Sequence, residues 1–116
     1  MAVDIFRNLI PIDEIAADNA DLALVLKTLG DVNRLRIFAL LRNGERCVCD
    51  IEAETRLSQN LVSHHLRALR EAGLIECRRD GRWAYYAVNR ASLPRLQGAV
   101  HMLFDPTTIP NSRASC

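Results

Sequence analysis

The stretch LSQNLVSHHLRALREAGLIECRRDGRWAYYAV, from Leu57 to Val88, switches periodicity halfway along. Val62, Leu66 and Leu69 recur at helical spacing, with Ser58 placed to cap the helix start and Gly73 to close its end. Beyond Gly73 the pattern alternates. Two runs flank Asp80-Gly81, a pair suited to a two-residue hairpin turn. Setting Arg79 opposite Arg82 places Cys77 against Ala84, Ile75 against Tyr86 and Arg78 against Trp83. Ile75, Cys77, Ala84, Tyr86 and Val88 then share one face, and Glu76, Arg78, Trp83 and Tyr85 the other.

Upstream of this stretch, Cys47 to Thr55 reads as a short helix, and Leu57-Ser58-Gln59 as a tight turn after it. An earlier helix starts at Asp31 or Asn33, either of which can cap it. It carries Leu35, Ile37, Phe38, Leu40 and Leu41 and ends at Asn43-Gly44. Leu22, Val25, Leu26 and Leu29 form the stripe of a helix that stops at Gly30, with Ile12 to Ala20 also helical ahead of it. Downstream, Ser92 is placed to cap a last helix with Leu93, Leu96, Val100, Leu103 and Phe104.

The order helix, turn, helix, hairpin defines a mainly α fold with a small β-hairpin, a winged helix-turn-helix. Residues 1–104 form its single domain and residues 105–116, with Pro106 and Pro110, a flexible tail. Aromatic residues are only 5% of the 116, so the core must be aliphatic.

Apolar runs are far shorter than the ~20 residues of a membrane span. Asp4, Arg7 and Pro11 stand where a secretion signal would need a basic start and an apolar stretch, so the expected location is cytoplasmic. Four cysteines, two of them one residue apart, then read as thiols, metal ligands or buried residues rather than as a disulfide framework.

The net charge of +1 conceals an uneven distribution. Residues 1–31 carry a balance of −4 and residues 55–95 a balance of +5, and fourteen of the fifteen basic residues are arginine. That asymmetry points to a polyanion partner. In a winged helix-turn-helix the second helix enters the major groove with its N-terminal turn at the base edges. Here that turn offers Ser58, Gln59, Asn60, Ser63 and His64, and Gln and Asn are the side chains that can pair twice with adenine. Arg67 is placed to reach phosphate, and Arg78, Arg79 and Arg82 surround the hairpin tip for backbone or minor-groove contact. The expected partner is double-stranded operator DNA, with half-sites about one helical turn apart if the protein is dimeric.

Leu29-Gly30-Asp31-Val32-Asn33-Arg34-Leu35-Arg36-Ile37 resembles the "L-G-D-x-x-R-L-x-I" opening of the ArsR/SmtB family of metal- and metalloid-responsive repressors. Cys47-Val48-Cys49-Asp50 resembles its metal-binding box. Leu57-Ser58-Gln59 with Val62-Ser63-His64-His65-Leu66 is similar to its recognition helix, Arg70-Glu71-Ala72-Gly73-Leu74 to that helix's end, and Arg79-Asp80-Gly81-Arg82 with Tyr85-Tyr86 to its wing. The resemblance spans about residues 22–90. It implies a homodimer, built on the first and last helices, that represses an operon until an inducer binds.

Cys47 and Cys49 are a candidate soft-ion site. Two residues apart on an α-helix lie about 200° round the axis, so both sulfurs meet at one ion only if the first turn is non-helical or distorted. Such a distortion would sit on the helix that packs against the recognition helix. Thiolates favour As(III) or Sb(III), and equally Cd(II), Pb(II) or Zn(II). The arsenical subgroup implies three sulfurs, the third lying three residues after the second cysteine, where this chain has Glu52. Cys116 on the tail is the expected third ligand; a small thiol or an oxygen ligand are alternatives, and Cys77 on the apolar hairpin face reads as core. The expected inducer is As(III) or Sb(III). The rival signals are Cd(II), Pb(II), Zn(II) or thiol oxidation and persulfide formation. A small thiol enzyme is the rival from another class, disfavoured because the box has no His or Lys to activate a thiolate.

Overall fold

Caps and apolar stripes divide the chain into five α-helices and a small sheet among the described residues. The structure, a computed structural model, describes residues 12–114, with side chains from residue 21. The elements are α1 (Ile12–Leu29), α2 (Val32–Leu41), β1 (Arg46–Cys47), α3 (Val48–Thr55), α4 (Gln59–Glu71), β2 (Ile75–Asp80), β3 (Trp83–Val88) and α5 (Leu93–Phe104). Short 3-10 turns, Arg90–Ser92 and Pro106–Thr108, precede and follow α5.

The two pieces expected before Gly30 are one continuous helix, α1. Of the two candidate caps for α2, Asp31 is the one that acts: its carboxylate accepts the N–H groups of Asn33 and Arg34 at 2.9 and 3.1 Å. Ser58 caps α4, its hydroxyl oxygen accepting the Leu61 N–H at 3.3 Å. Gly73, with φ +77, closes α4. The Gly73 N–H bonds the Arg70 carbonyl and the Leu74 N–H reaches back to Leu69, both at 3.0 Å, so two otherwise orphaned carbonyls are satisfied. Ser92 does not cap α5 with its side chain. Its hydroxyl instead donates to the Asn89 carbonyl at 2.8 Å, completing the preceding 3-10 turn.

The hairpin differs in register from the sequence reading. Asp80 pairs with Trp83, so Gly81-Arg82 forms the turn, and Cys77 faces Tyr86, Ile75 faces Val88 and Arg78 faces Tyr85. Gly81 has φ +61, which suits the first central position of a type II′ turn. The shift is by two residues, so each side chain keeps its expected face. A third strand, β1, also joins the sheet in the order β1-β3-β2, with Arg46 opposite Tyr86 and Cys47 opposite Tyr85.

The core is aliphatic. Val25, Ile37, Leu41, Ile51, Val62, Leu66, Leu69, Leu74 and Ile75 are buried together, contributed by α1 to α4 and the start of the hairpin. Each such side chain contributes roughly 1.5–3 kcal/mol on leaving water. Phe38, Tyr86, Val88 and Leu96 pack on its edge. The outer faces of α1 and α5 are different: Leu24, Leu26, Met102 and Leu103 are about half exposed, Phe104 is 70% exposed, and no residue of α5 is fully buried.

Candidate nucleic-acid interface and thiol site

The turn between α3 and α4 is fixed by one buried threonine. Thr55 donates its hydroxyl to the Ile51 carbonyl at 2.6 Å and receives the Leu57 N–H at 3.4 Å. The Thr55 carbonyl accepts Arg36 Nη2 at 3.1 Å, which ties the turn to α2. Arg56 ends α3 in the left-handed region at φ +60 and is the only described non-glycine residue there.

This turn sets the direction of α4, whose buried side is Val62, His65, Leu66 and Leu69. Gln59, Asn60, Ser63, His64 and Arg67 are exposed on the remaining arc, as the sequence reading expects of a base-reading face. Ser58 is also exposed, with its oxygen engaged in the cap. His65 faces inward and accepts Arg34 Nε at its Nδ1, 3.1 Å away. Burial pulls its pKa below the ordinary value, partly opposed by the Asp31 carboxylate, so it rests as the neutral tautomer with the proton on Nε2.

The arginines of the hairpin divide into two sets. Arg79 and Arg82 are exposed near the tip, and among the described residues neither they nor Arg67 and Arg70 form a salt bridge. Arg78 lies on the opposite sheet face. Its Nε and Nη2 grip the Glu45 carboxylate at 3.2 and 2.7 Å, and its guanidinium carbon stands 4.7 Å over the Tyr85 ring. This fork holds the Glu45 carboxyl below its usual range.

Between α4 and the wing lies an open cleft of about 470 Å³ lined by Ser63, Leu66, Arg67, Arg70, Glu71 and Tyr86. Tyr86 is half-buried there. Burial and the neighbouring Cys77 thiol raise its pKa, while Arg70 and Arg79 draw it back down. Arg70 and Tyr86 were not singled out for DNA in the sequence. Arg70 follows Arg67 by three residues on the same helix flank, a signal that was legible. Tyr86 required the strand register.

Cys47 is the N-cap of α3, extended at φ −82 and ψ 166, and Cys49 lies in the first helical turn. The helix therefore begins one residue later than the sequence reading, and Cys47 is strand. A capping box joins it to Asp50: the Cys47 sulfur accepts the Asp50 N–H, and the Cys47 N–H donates to the Asp50 carboxylate at 3.3 Å. The Asp50 N–H lowers the Cys47 pKa, but burial and the Asp50 carboxylate outweigh it, and the thiol ends above its ordinary value. Cys49 is exposed; Cys47 and Cys77 are half-buried and all three are free thiols. Cys77 shares its sheet face with Ile75 and Tyr86. Among the described residues no three Cys, His, Asp or Glu side chains converge as a metal site. Cys47 and Cys49 supply two sulfurs at the edge of a helix, which fits a thiophilic ion in donor type. Cys116, the expected third ligand, lies outside the described residues.

Comparison with known proteins meets this geometry from another side. Residues 31–76 match the family described as bacterial regulatory protein, arsR family. The arsenical resistance operon repressor of Staphylococcus aureus is 40% identical over 73 residues, 63% of this chain and 70% of that protein. A cadmium resistance transcriptional regulatory protein CadC homolog of the same species is 36% identical over 77 residues, 66% of this chain and 64% of the relative. Among solved structures, the homodimeric winged helix-turn-helix DNA-binding domain of a Mycobacterium bovis protein superposes with a TM-score of 0.65 at 35% identity, covering 80% of this chain and 86% of that one. With that fold and these relatives, the chain belongs to the arsR family, whose members are DNA-binding transcriptional regulators and not enzymes.

Proposed function

We propose that the protein represses a metalloid-resistance operon and leaves its operator when As(III) or Sb(III) is held by Cys47 and Cys49. The observation that carries the DNA reading is the exposed arc Gln59, Asn60, Ser63, His64 and Arg67, continued across the cleft by the exposed Arg79 and Arg82. Gln59 and Asn60 would read base edges, and Arg67, Arg79 and Arg82 would neutralise phosphates. A DNA strand passing from the major groove to the minor groove has to cross the cleft, where Arg70 and the Tyr86 hydroxyl would hold a phosphate and Glu71 would oppose it. Arg78 would reach a phosphate only by loosening the fork that its guanidinium makes on Glu45.

The protein would act as a homodimer in the cytoplasm. Leu24, Leu26, Met102, Leu103 and Phe104 present the apolar surface of α1 and α5 that a second copy would cover. Cys116 is the proposed third sulfur. The existence of a relative named for cadmium resistance keeps Cd(II) as the second reading, with Zn(II) and Pb(II) chemically similar.

The test is anisotropy of the protein on its own upstream DNA, titrated with arsenite. Wild type would run beside Cys47→Ser, Cys49→Ser and Cys116→Ser, with Cd(II) and Zn(II) in parallel. Release that requires both Cys47 and Cys49 is expected. DNA that stays bound at saturating arsenite but dissociates with Cd(II) would move the assignment to cadmium.

A further inference from the structure

The wing sheet has a second face that the DNA reading leaves unused. Cys47, Tyr85 and Arg78 occupy one row across β1, β3 and β2, because Cys47 pairs with Tyr85 and Tyr85 with Arg78. Directly opposed residues in antiparallel strands share a face, with Cβ atoms about 4.5–5.5 Å apart. Arg78 covers the Tyr85 ring at 4.7 Å and turns its fork onto Glu45, two residues before Cys47. The contacts therefore close a ring: Glu45 to Arg78, Arg78 to Tyr85, Tyr85 to Cys47, and Cys47 back along the chain to Glu45.

Cys47 is held in this ring in an extended conformation, with its sulfur on the N–H of Asp50 and its own N–H on the Asp50 carboxylate. Bringing its sulfur together with that of Cys49, inside the helix, breaks these cap bonds or turns the first helical turn. Either movement pulls on β1. That strand is only two residues long, so its pairing to β3 is easily lost.

We propose that the thiol pair is coupled to DNA affinity through the wing: drawing Cys47 and Cys49 together detaches or tilts β1, and the Glu45–Arg78–Tyr85 ring carries the displacement to the hairpin tip bearing Arg79 and Arg82. This rests on the sensing role proposed for the two cysteines. It differs from transmission through α3 to the recognition helix, because Glu45 touches neither α3 nor α4 through any described hydrogen bond or salt bridge. Trp83, the single tryptophan, is on the same sheet face two residues from Tyr85, 52% exposed. It reports on the wing.

The experiment uses the full chain and arsenite as probe, with three readouts: protection of Cys47 and Cys49 from alkylation, Trp83 emission without DNA, and operator Kd with and without arsenite. Wild type should show Trp83 emission changing in step with thiol protection. Glu45→Gln should keep the arsenite-free Kd and the thiol protection. Its Kd ratio should shrink from the roughly 5–150-fold typical of such couplings towards about unity. Glu45→Asp, which keeps a carboxylate for the Arg78 fork and leaves Arg78 on Tyr85, should retain the wild-type ratio and Trp83 response. Protected thiols and a released operator with silent Trp83, or an unchanged ratio in Glu45→Gln, would overturn the wing route while leaving the sensor intact. Unprotected thiols would remove the sensor, and the wing route with it.

Discussion

His65 holds its Nδ1 toward Arg34 Nε at 3.1 Å, so a proton on that nitrogen would break the bond and set two cations side by side. In the unfolded chain the imidazole protonates near its ordinary 6.5; in the fold, burial delays this to lower pH. The unfolded state thus binds more protons in that interval, and stability is full above about pH 6.5 and falls as the pH drops through the folded value. The urea midpoint should decline between pH 7.5 and 5, and His65→Asn, which can still accept from Arg34, should flatten that decline. A second residue-scale test is Arg56, whose φ of +60 a glycine adopts without strain. Arg56→Gly should raise stability by about 1 kcal/mol in denaturant melts. Neither feature was open to sequence reading. A left-handed helix end is anticipated where Gly or Asn stands, and Arg56 offers no such sign. His65 was legible as an inward residue from helical spacing, but its partner Arg34 lies 31 residues away and needed the fold.

The helices show what local pattern can supply. The stripe Val62, Leu66 and Leu69 and the caps Asp31, Ser58 and Gly73 occur where spacing put them, because each depends on neighbours within one or two turns. Leu66 is 1% exposed at the centre of α4, so Leu66→Ala should cost about 2–5 kcal/mol and be visible in thermal melts. The stripe was misleading for α1 and α5: Leu26 and Phe104 continue an apolar pattern but face outward, since periodicity marks a face and not what covers it. Strand β1 was not legible, as two residues carry no alternation and Cys47 can serve as a helix cap as well as a strand end. The hairpin shows the same limit. Asp80-Gly81 matched a favoured turn pair, yet the strands place Gly81-Arg82 in the turn, and only the two-residue parity kept the faces right. The Cys47/Cys49 spacing was legible, while the row linking Cys47 to Arg78 depended on that missing strand.

At the scale of the whole molecule, the exposed arginines of α4 and the hairpin set the electrostatics. Arg67, Arg70, Arg79 and Arg82 ring one side, and operator affinity should fall steeply with salt. Arg70→Ala should lower affinity on all sequences alike and reduce the log–log salt slope by about one, as measured by anisotropy at several salt concentrations. Phe104, at the end of α5, is 70% exposed, and Phe104→Asp should shift sedimentation toward the monomer. The ring that closes through Glu45 and Arg78 also spans 33 residues of sequence, and Cys47 meets Tyr85 across a comparable distance. During synthesis, α3 can form as soon as it emerges, but β1 has no strand to join until the chain has been made past Tyr85. For that interval Cys47 lacks the cover that the wing later gives it, so the nascent chain exposes Cys47 to oxidants more fully than the finished repressor does.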